Sequence, residues 1–229
     1  EAVYRSGKFP CFFMGGSAGG KMDFQKTAIY ANSQVFENHA VIAFLKLKKD
    51  RTYGVLKSEN FKKTGHSFVV IEADPERRLI QSVMDPQTEK VVPIIDFLAD
   101  HFHIEKNKLT HHLENYSFGL EIDNDVYVRS IQKIDFDHNV ISFFCDIKPG
   151  DRLEILEFTD FAHQTQKDVT DFLTGKPPAL GAIFFDCILR RLHNTDHLGA
   201  LKNVCPMPVA GFSTFGELFG LNVNETLSA

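Results

Sequence analysis

The stretch ALGAIFFDCILRR, residues 179–191, followed by PVAGFSTFGE, residues 208–217, decides the fold class. AIFFD is an apolar run of strand length, and the residues from Cys187 to Lys202 read as a helix. PVAGF then reads as another strand, ending in the loop STFGE. Upstream, Asp160 is placed to cap a helix with Phe161, Thr165, Val169, Phe172 and Leu173 on one face. Gly175 and the Pro177-Pro178 pair stop it. The strand RLEIL enters this region from the turn Pro149-Gly150-Asp151. Strand–helix–strand–helix–strand calls for a layered sheet with helices packed on it.

Further from this stretch the pattern changes to meanders. NYSFGLEI, DVYVRSI and NVISFFCDI are strands separated by Asp123-Asn124 and by the turn from Asp135 to His138. SFVVIEA and RLIQSVM flank the turn Asp74-Pro75-Glu76-Arg77. Pro93 opens a short helix with apolar Ile94, Phe97, Leu98 and Phe102. SQVF and HAVIAFLKL, on either side of Glu37-Asn38, have the alternation of a hairpin, and PCFFM is a short strand before GGSAGG. The expected fold is α/β (α+β): two related lobes with mixed, largely antiparallel sheets flanked by helices. The expected boundaries are 1–92 and 93–229.

Composition narrows the function. A chain of 229 residues with 43% hydrophobic residues, 22 Phe and no Trp can bury a sizeable core. A net charge of −5 gives no footprint for nucleic acid. The one basic group, Lys46, Lys48, Lys49 and Arg51, suits an exposed strand end or hairpin. Cys11, Cys145, Cys187 and Cys205 are far apart, with no CxxC spacing, so we expect reduced thiols and a cytoplasmic chain. No signal peptide or spanning stretch is expected. The abrupt ends lead us to expect a piece of a longer chain, cytoplasmic or part of a membrane-associated receptor.

Two segments echo each other. PCFFMGGSAGG (10–20) and MPVAGFSTFGE (207–217) both run proline, short strand, Gly-x-Ser, small residues and Gly, with Thr27 and Thr226 downstream. Duplication of one unit and shared turn chemistry both explain the echo. At these motifs the chain resembles the FIST sensory family. The resemblance rests on FMGGSAGG with Thr27, FKKTG, SFVVIEADPERRLI, Pro149-Gly150-Asp151, GAIFFDCILRR with its Cys-x-x-Arg, GFSTFGE and NVNET. It covers the end of an N-terminal domain and most of a C-terminal one. The family's N-terminal part normally starts well before Glu1 of this chain.

The resemblance implies a non-enzymatic, ligand-sensing input module of a bacterial signal-transduction protein. Its output would be a chemotaxis transducer, a histidine kinase or a cyclic-di-nucleotide enzyme, carried on the same chain or as a partner. Small molecules such as amino acids are the implied ligands, and haem-based nitric oxide sensing is the alternative. The expected ligand-binding residues are Arg190, Glu217, Gly16, Ser17, Cys187 and Ser213, bordering a pocket between the lobes. A homodimer stays open.

Each candidate has a second reading. Arg190, three residues after Cys187, could clamp a carboxylate or phosphate at the end of a buried strand, or form an internal ion pair with Glu217. Gly16 and Ser17 could line a pocket, or simply make a tight turn. Gly15-Gly16-Ser17-Ala18-Gly19 matches GxSxG, so a serine hydrolase using Ser17 is weighed, as is a nucleophile at Ser213. The residues after Ser17 read as turn and strand, not as the helix that a nucleophile elbow needs. Among ten histidines, His101 with His103, His111 with His112, and His193 with His197 suggest metal spacing at most. His39 and His163 are weighed as haem ligands. No metal or haem ligand is assigned.

Overall fold

A computed structural model of the chain describes residues 6–8, 11–20, 25–123 and 125–229. In chain order the strands and helices are β1 (Met14–Gly16), β2 (Ile29–Ala31), β3 (Gln34–Phe36), β4 (Lys57–Glu59), β5 (Phe61–Asp74), β6 (Leu79–Met84), β7 (Val91–Pro93) and α1 (Ile94–Phe102). Next come α2 (Leu109–His112), β8 (Tyr116–Ile122), β9 (Asp125–Arg129), β10 (Ile131–Asp135), β11 (Val140–Phe143), β12 (Arg152–Phe158) and α3 (Phe161–Leu173). The last part holds β13 (Ala182–Cys187), α4 (Ile188–His193), a 3-10 helix (Thr195–Asn203), β14 (Val209–Thr214), β15 (Glu217–Phe219), β16 (Leu221–Val223) and β17 (Thr226–Ser228).

The fold is mixed α/β with antiparallel sheets flanked by a few helices, as the sequence leads one to expect. The largest sheet runs β10-β11-β6-β5-β12-β8-β9, with β7 on β6, and all its pairings are antiparallel. The alternation of SFVVIEA puts Phe68 and Val70 on the inner face, where they meet Phe118, Phe143 and Leu153. Helix α1 closes this core with Ile94, Phe97 and Leu98, as the spacing after Pro93 predicts, and with Ile95 beside them. Burial of this kind stabilises by about 1.5–3 kcal/mol per large side chain.

The second sheet, β14-β13-β17-β4, carries the βαβ unit of the deciding stretch: β13 and β14 are parallel, with Phe185 opposite Phe212. Strand β17 pairs antiparallel with β13 and with β4. Asp160 caps α3 by accepting the backbone N–H of His163 at 2.7 Å, and Phe161, Thr165 and Val169 are buried. Strands from both ends of the chain share these sheets. β4 pairs β17, β5 pairs β12, and β1 pairs β15.

Three expectations need correction. HAVIAFLKL is not a strand: Val41, Ile42, Phe44, Leu45 and Leu47 are exposed, and the hairpin is β2–β3 instead. Its turn falls at Asn32-Ser33, both with positive φ (51° and 63°), the geometry that matches strand twist in a two-residue hairpin loop. Alternation makes a strand only where an edge accepts its hydrogen bonds. Of Cys11 to Met14 only Met14 joins a strand, and Pro10 of the echo, residues 21–24 and Asn124 lie outside the described residues. The helix expected from Cys187 to Lys202 breaks at Asn194. There the Asn194 amide donates to the Arg190 carbonyl at 2.8 Å, and the Thr195 hydroxyl to that of Leu192 at 2.9 Å. Short polar side chains that bond nearby carbonyls compete with the helix in this way.

Candidate functional site

Strand alternation splits the end of β13 between two faces. Asp186 points to the side covered by α3, and Cys187 to the opposite side. One turn into α4, the Arg190 side chain is fully enclosed. Its Nη1 donates to Asp186 Oδ1 at 2.9 Å, its Nη2 donates to Thr165 Oγ1, and its guanidinium lies 4.3 Å from the centre of the Phe161 ring. The expected partner, Glu217, is therefore corrected to Asp186. Asp186 sits four residues earlier, where the strand gives way to the helix, whereas Glu217 faces the Cys187 side. Burial pushes Arg190 down and Asp186 up from their ordinary values, and their mutual attraction opposes both shifts. Among the described residues, Arg190 Nε has no hydrogen-bond partner.

On the other face lies a second polar knot. Glu217 is buried and accepts from the hydroxyls of Thr214 and Thr226 (2.9 Å to the latter), and the Cys187 thiol also bonds to it. Burial raises the Glu217 carboxyl to about 7. Burial first, and the neighbouring carboxylate second, raise the Cys187 thiol to about 12. Cys187 is thus a protonated donor and not a nucleophile.

The two echoed segments meet here. Gly16 lies opposite Glu217 in the β1–β15 pair, Ser17 N–H donates to the Gly216 carbonyl at 2.9 Å, and Phe215 N–H donates to the Ser17 carbonyl at 2.9 Å. A Cβ on Gly16 would stand 2.6 Å from Thr214 Cβ, and one on Gly19 would enter the Phe215 ring. Packing of the Thr214 and Phe215 side chains directly on the chain, rather than a phosphate cradle, explains Gly16 and Gly19. Ser17 is exposed, and residues 18–20, the described residues that follow it directly, form no helix of the kind a nucleophile elbow uses.

Glu225 forms a third knot, with Oε2 accepting from Ser117 at 2.9 Å and Ser130 at 2.8 Å, and Oε1 within 2.8 Å of His193 Nδ1. This bond raises the His193 pKa. It also ties α4 to the large sheet, leaving His193 in an ion pair rather than aimed at His197. Among the described residues no group of three His, Cys, Asp or Glu is placed to hold a metal ion.

Above the Asp186–Arg190 pair opens a cleft of about 590 Å³, within the range typical of small-molecule sites. One wall is β13 and β14, with Phe184, Asp186, Gly211 and Ser213. The other is the 3-10 helix and the loop after it, with Leu201, Lys202, Val204, Cys205 and Met207. Thr165 and Leu227 reach the floor, and Arg191 stands at the side. Of the residues expected from sequence, Ser213 lines this cleft and Arg190 lies beneath it. Cys187, Glu217, Gly16 and Ser17 sit behind the same strands. Sequence reasoning missed Asp186, Arg191, Lys202 and Cys205. An aspartate ending an otherwise apolar strand was the available signal for the first, since a buried carboxylate requires a partner. A smaller recess of about 400 Å³, lined by Ile95, Lys106, Asn107, Phe136 and Asn139, lies on α1 and is remote from all of these residues.

A family model described as FIST C domain matches residues 95–220, and one described as FIST N domain matches residues 1–83. No curated protein and no solved structure matches the chain.

Proposed function

The chain belongs to the FIST family, whose domains are sensory domains of signal-transduction proteins, and from that premise we propose that it binds a small ligand in the cleft between β14 and the 3-10 helix. The observation that supports this most is continuity. Ser213 lines the cleft, and the chain passes from it through Thr214, the last residue of β14, into the Phe215-Gly216 bend, which holds the Gly16-Ser17 turn. A ligand that favours one position of β14 therefore favours one arrangement of the N-terminal segment. Only such differential affinity shifts a two-state equilibrium. Arg190 acts here as a positioning residue: it fixes Asp186 and Thr165 at the cleft floor. The proposed setting is a cytoplasmic input module of a bacterial chemotaxis transducer, histidine kinase or cyclic-di-nucleotide protein. No helix among the described residues is long and apolar enough to cross a membrane. A haem reading would need an axial ligand at the cavity, for which the cleft lining offers Cys205 and Met207 rather than an imidazole.

The test is calorimetric titration of the protein with a metabolite panel, repeated on Ser213→Phe, which fills the cleft from its wall. Saturable binding of at least one compound, weakened tenfold or more by Ser213→Phe in a still-folded protein, is expected. Equal binding by both proteins would place the ligand elsewhere.

A further inference from the structure

The charges around the cleft are unevenly matched. Among the described residues that line the cleft, Arg191 and Lys202 are cations and Asp186 is the anion, which the enclosed Arg190 beneath it already neutralises, in a chain whose net charge is −5. Asp186 is already committed: its Oδ1 receives Arg190 at 2.9 Å, which leaves Arg191 Nη1 3.9 Å from Oδ2, too long for a hydrogen bond. The Arg191 side chain is 40% exposed, so its guanidinium is solvated and able to turn into the cleft. Lys202 is exposed on the facing wall. Between these cations the lining is apolar: Phe184, Leu201, Val204, Met207, Val209 and Leu227.

We propose that the cleft takes an amphipathic anion, a molecule with an apolar body and one carboxylate or phosphate head, with the head held by Arg191 and Lys202. This rests on the cleft being the ligand site. A planar guanidinium bonds either head through paired N–H groups, and the lysine adds a point charge. The apolar lining covers the body, which gains by leaving water. A cation of the same shape would meet net positive charge, and a neutral analogue would leave Arg191 unmatched.

Cys205 allows the site and the ligand class to be tested separately. It lines the cleft and is partly exposed, Cys11 is exposed elsewhere, and Cys145 and Cys187 are buried. In Cys11→Ser protein, alkylation of Cys205 by N-ethylmaleimide, followed by mass spectrometry, reports cleft occupancy whatever the charge of the occupant. Four probes share one apolar body: phenylpropionate, phenylpropyl phosphate, phenylpropylamine and phenylpropanol. At least one of the two anions is expected to bind in calorimetry and to slow alkylation. Arg191→Gln, and separately Lys202→Gln, should weaken that anion about tenfold, as expected for loss of a charge-assisted bond, while barely changing the alcohol. The better anion identifies the head. If the amine or the alcohol protects Cys205 as well as the anions do, the ligand class is wrong and the cleft stands. If Cys205 reacts at one rate with every probe and with the metabolites that bind in titration, the cleft itself is wrong.

Discussion

Arg190→Leu is expected to lower the free energy of unfolding by about 3–5 kcal/mol, the largest single effect among the candidate residues. The substitution leaves Asp186, itself 7% exposed, without the cation that faces it and leaves the Thr165 hydroxyl without its donor. It also removes the guanidinium from the Phe161 ring. The loss is one of an uncompensated buried charge rather than of the pair's own net worth. Arg190→Leu combined with Asp186→Leu should therefore recover most of the stability, because a buried pair replaced by apolar groups of similar volume is often neutral. Urea unfolding of both variants reads this directly. A single variant as stable as the wild-type protein would mean that Arg190 is not paired as described.

Glu217→Gln is expected to make the protein more stable at alkaline pH, and by a calculable amount. The Glu217 carboxyl is raised from 4.5 to about 7, so between these values the folded protein holds a proton that the unfolded chain releases. Stability tied to this group is fully present below about 4.5 and is lost as pH rises through about 7. At about 1.4 kcal/mol per pH unit, the loss approaches 3 kcal/mol. Glutamine is neutral throughout: its carbonyl accepts from one of the Thr214 and Thr226 hydroxyls, and its amide N–H donates to the other. The variant should match the wild-type protein at pH 4 and exceed it by about 3 kcal/mol at pH 8. Glu59, raised by burial to about 6, and His193, raised by Glu225, give slopes of the same sign in both proteins, so the difference isolates Glu217. Denaturation followed across pH gives the answer. A variant destabilised equally at every pH would show that Glu217 is ionised in place and valued for its hydrogen bonds.

The sequence carried the fold where pattern and partner agree. SFVVIEA and RLIQSVM could be read as strands because their apolar residues face a core that the same strands build, AIFFD because its apolar run has strand length, and Asp160 and Pro93 mark their helices by chemistry local to the chain. HAVIAFLKL misled for the opposite reason: its alternation is intact, yet whether a neighbouring edge receives it is a tertiary fact. At the cleft, the motifs located the bordering strands but not which side of each strand faces it. Register puts Asp186 and Ser213 on the cleft face and Cys187, bonded to Glu217, on the other. A shift of one residue reverses every such assignment, and no spacing within a motif reveals which face a distant helix will cover. Lys202 and Cys205 were beyond reach, because the helix break at Asn194 that sets their positions comes with two side-chain hydrogen bonds.

The account stands on a mechanical link between the cleft and the contact of the two Gly-x-Ser segments. Alkylating Cys205 in Cys11→Ser protein fills the cleft covalently, without any assumption about the natural ligand. Hydrogen exchange is then followed at the Ser17 and Phe215 amides, which bond across that contact. Slower exchange at both amides on filling is predicted, with no change when the reagent is added to protein that also carries Cys205→Ser. Protection confined to residues 201–213, with Ser17 and Phe215 exchanging as before, would contradict the link and with it the sensing mechanism.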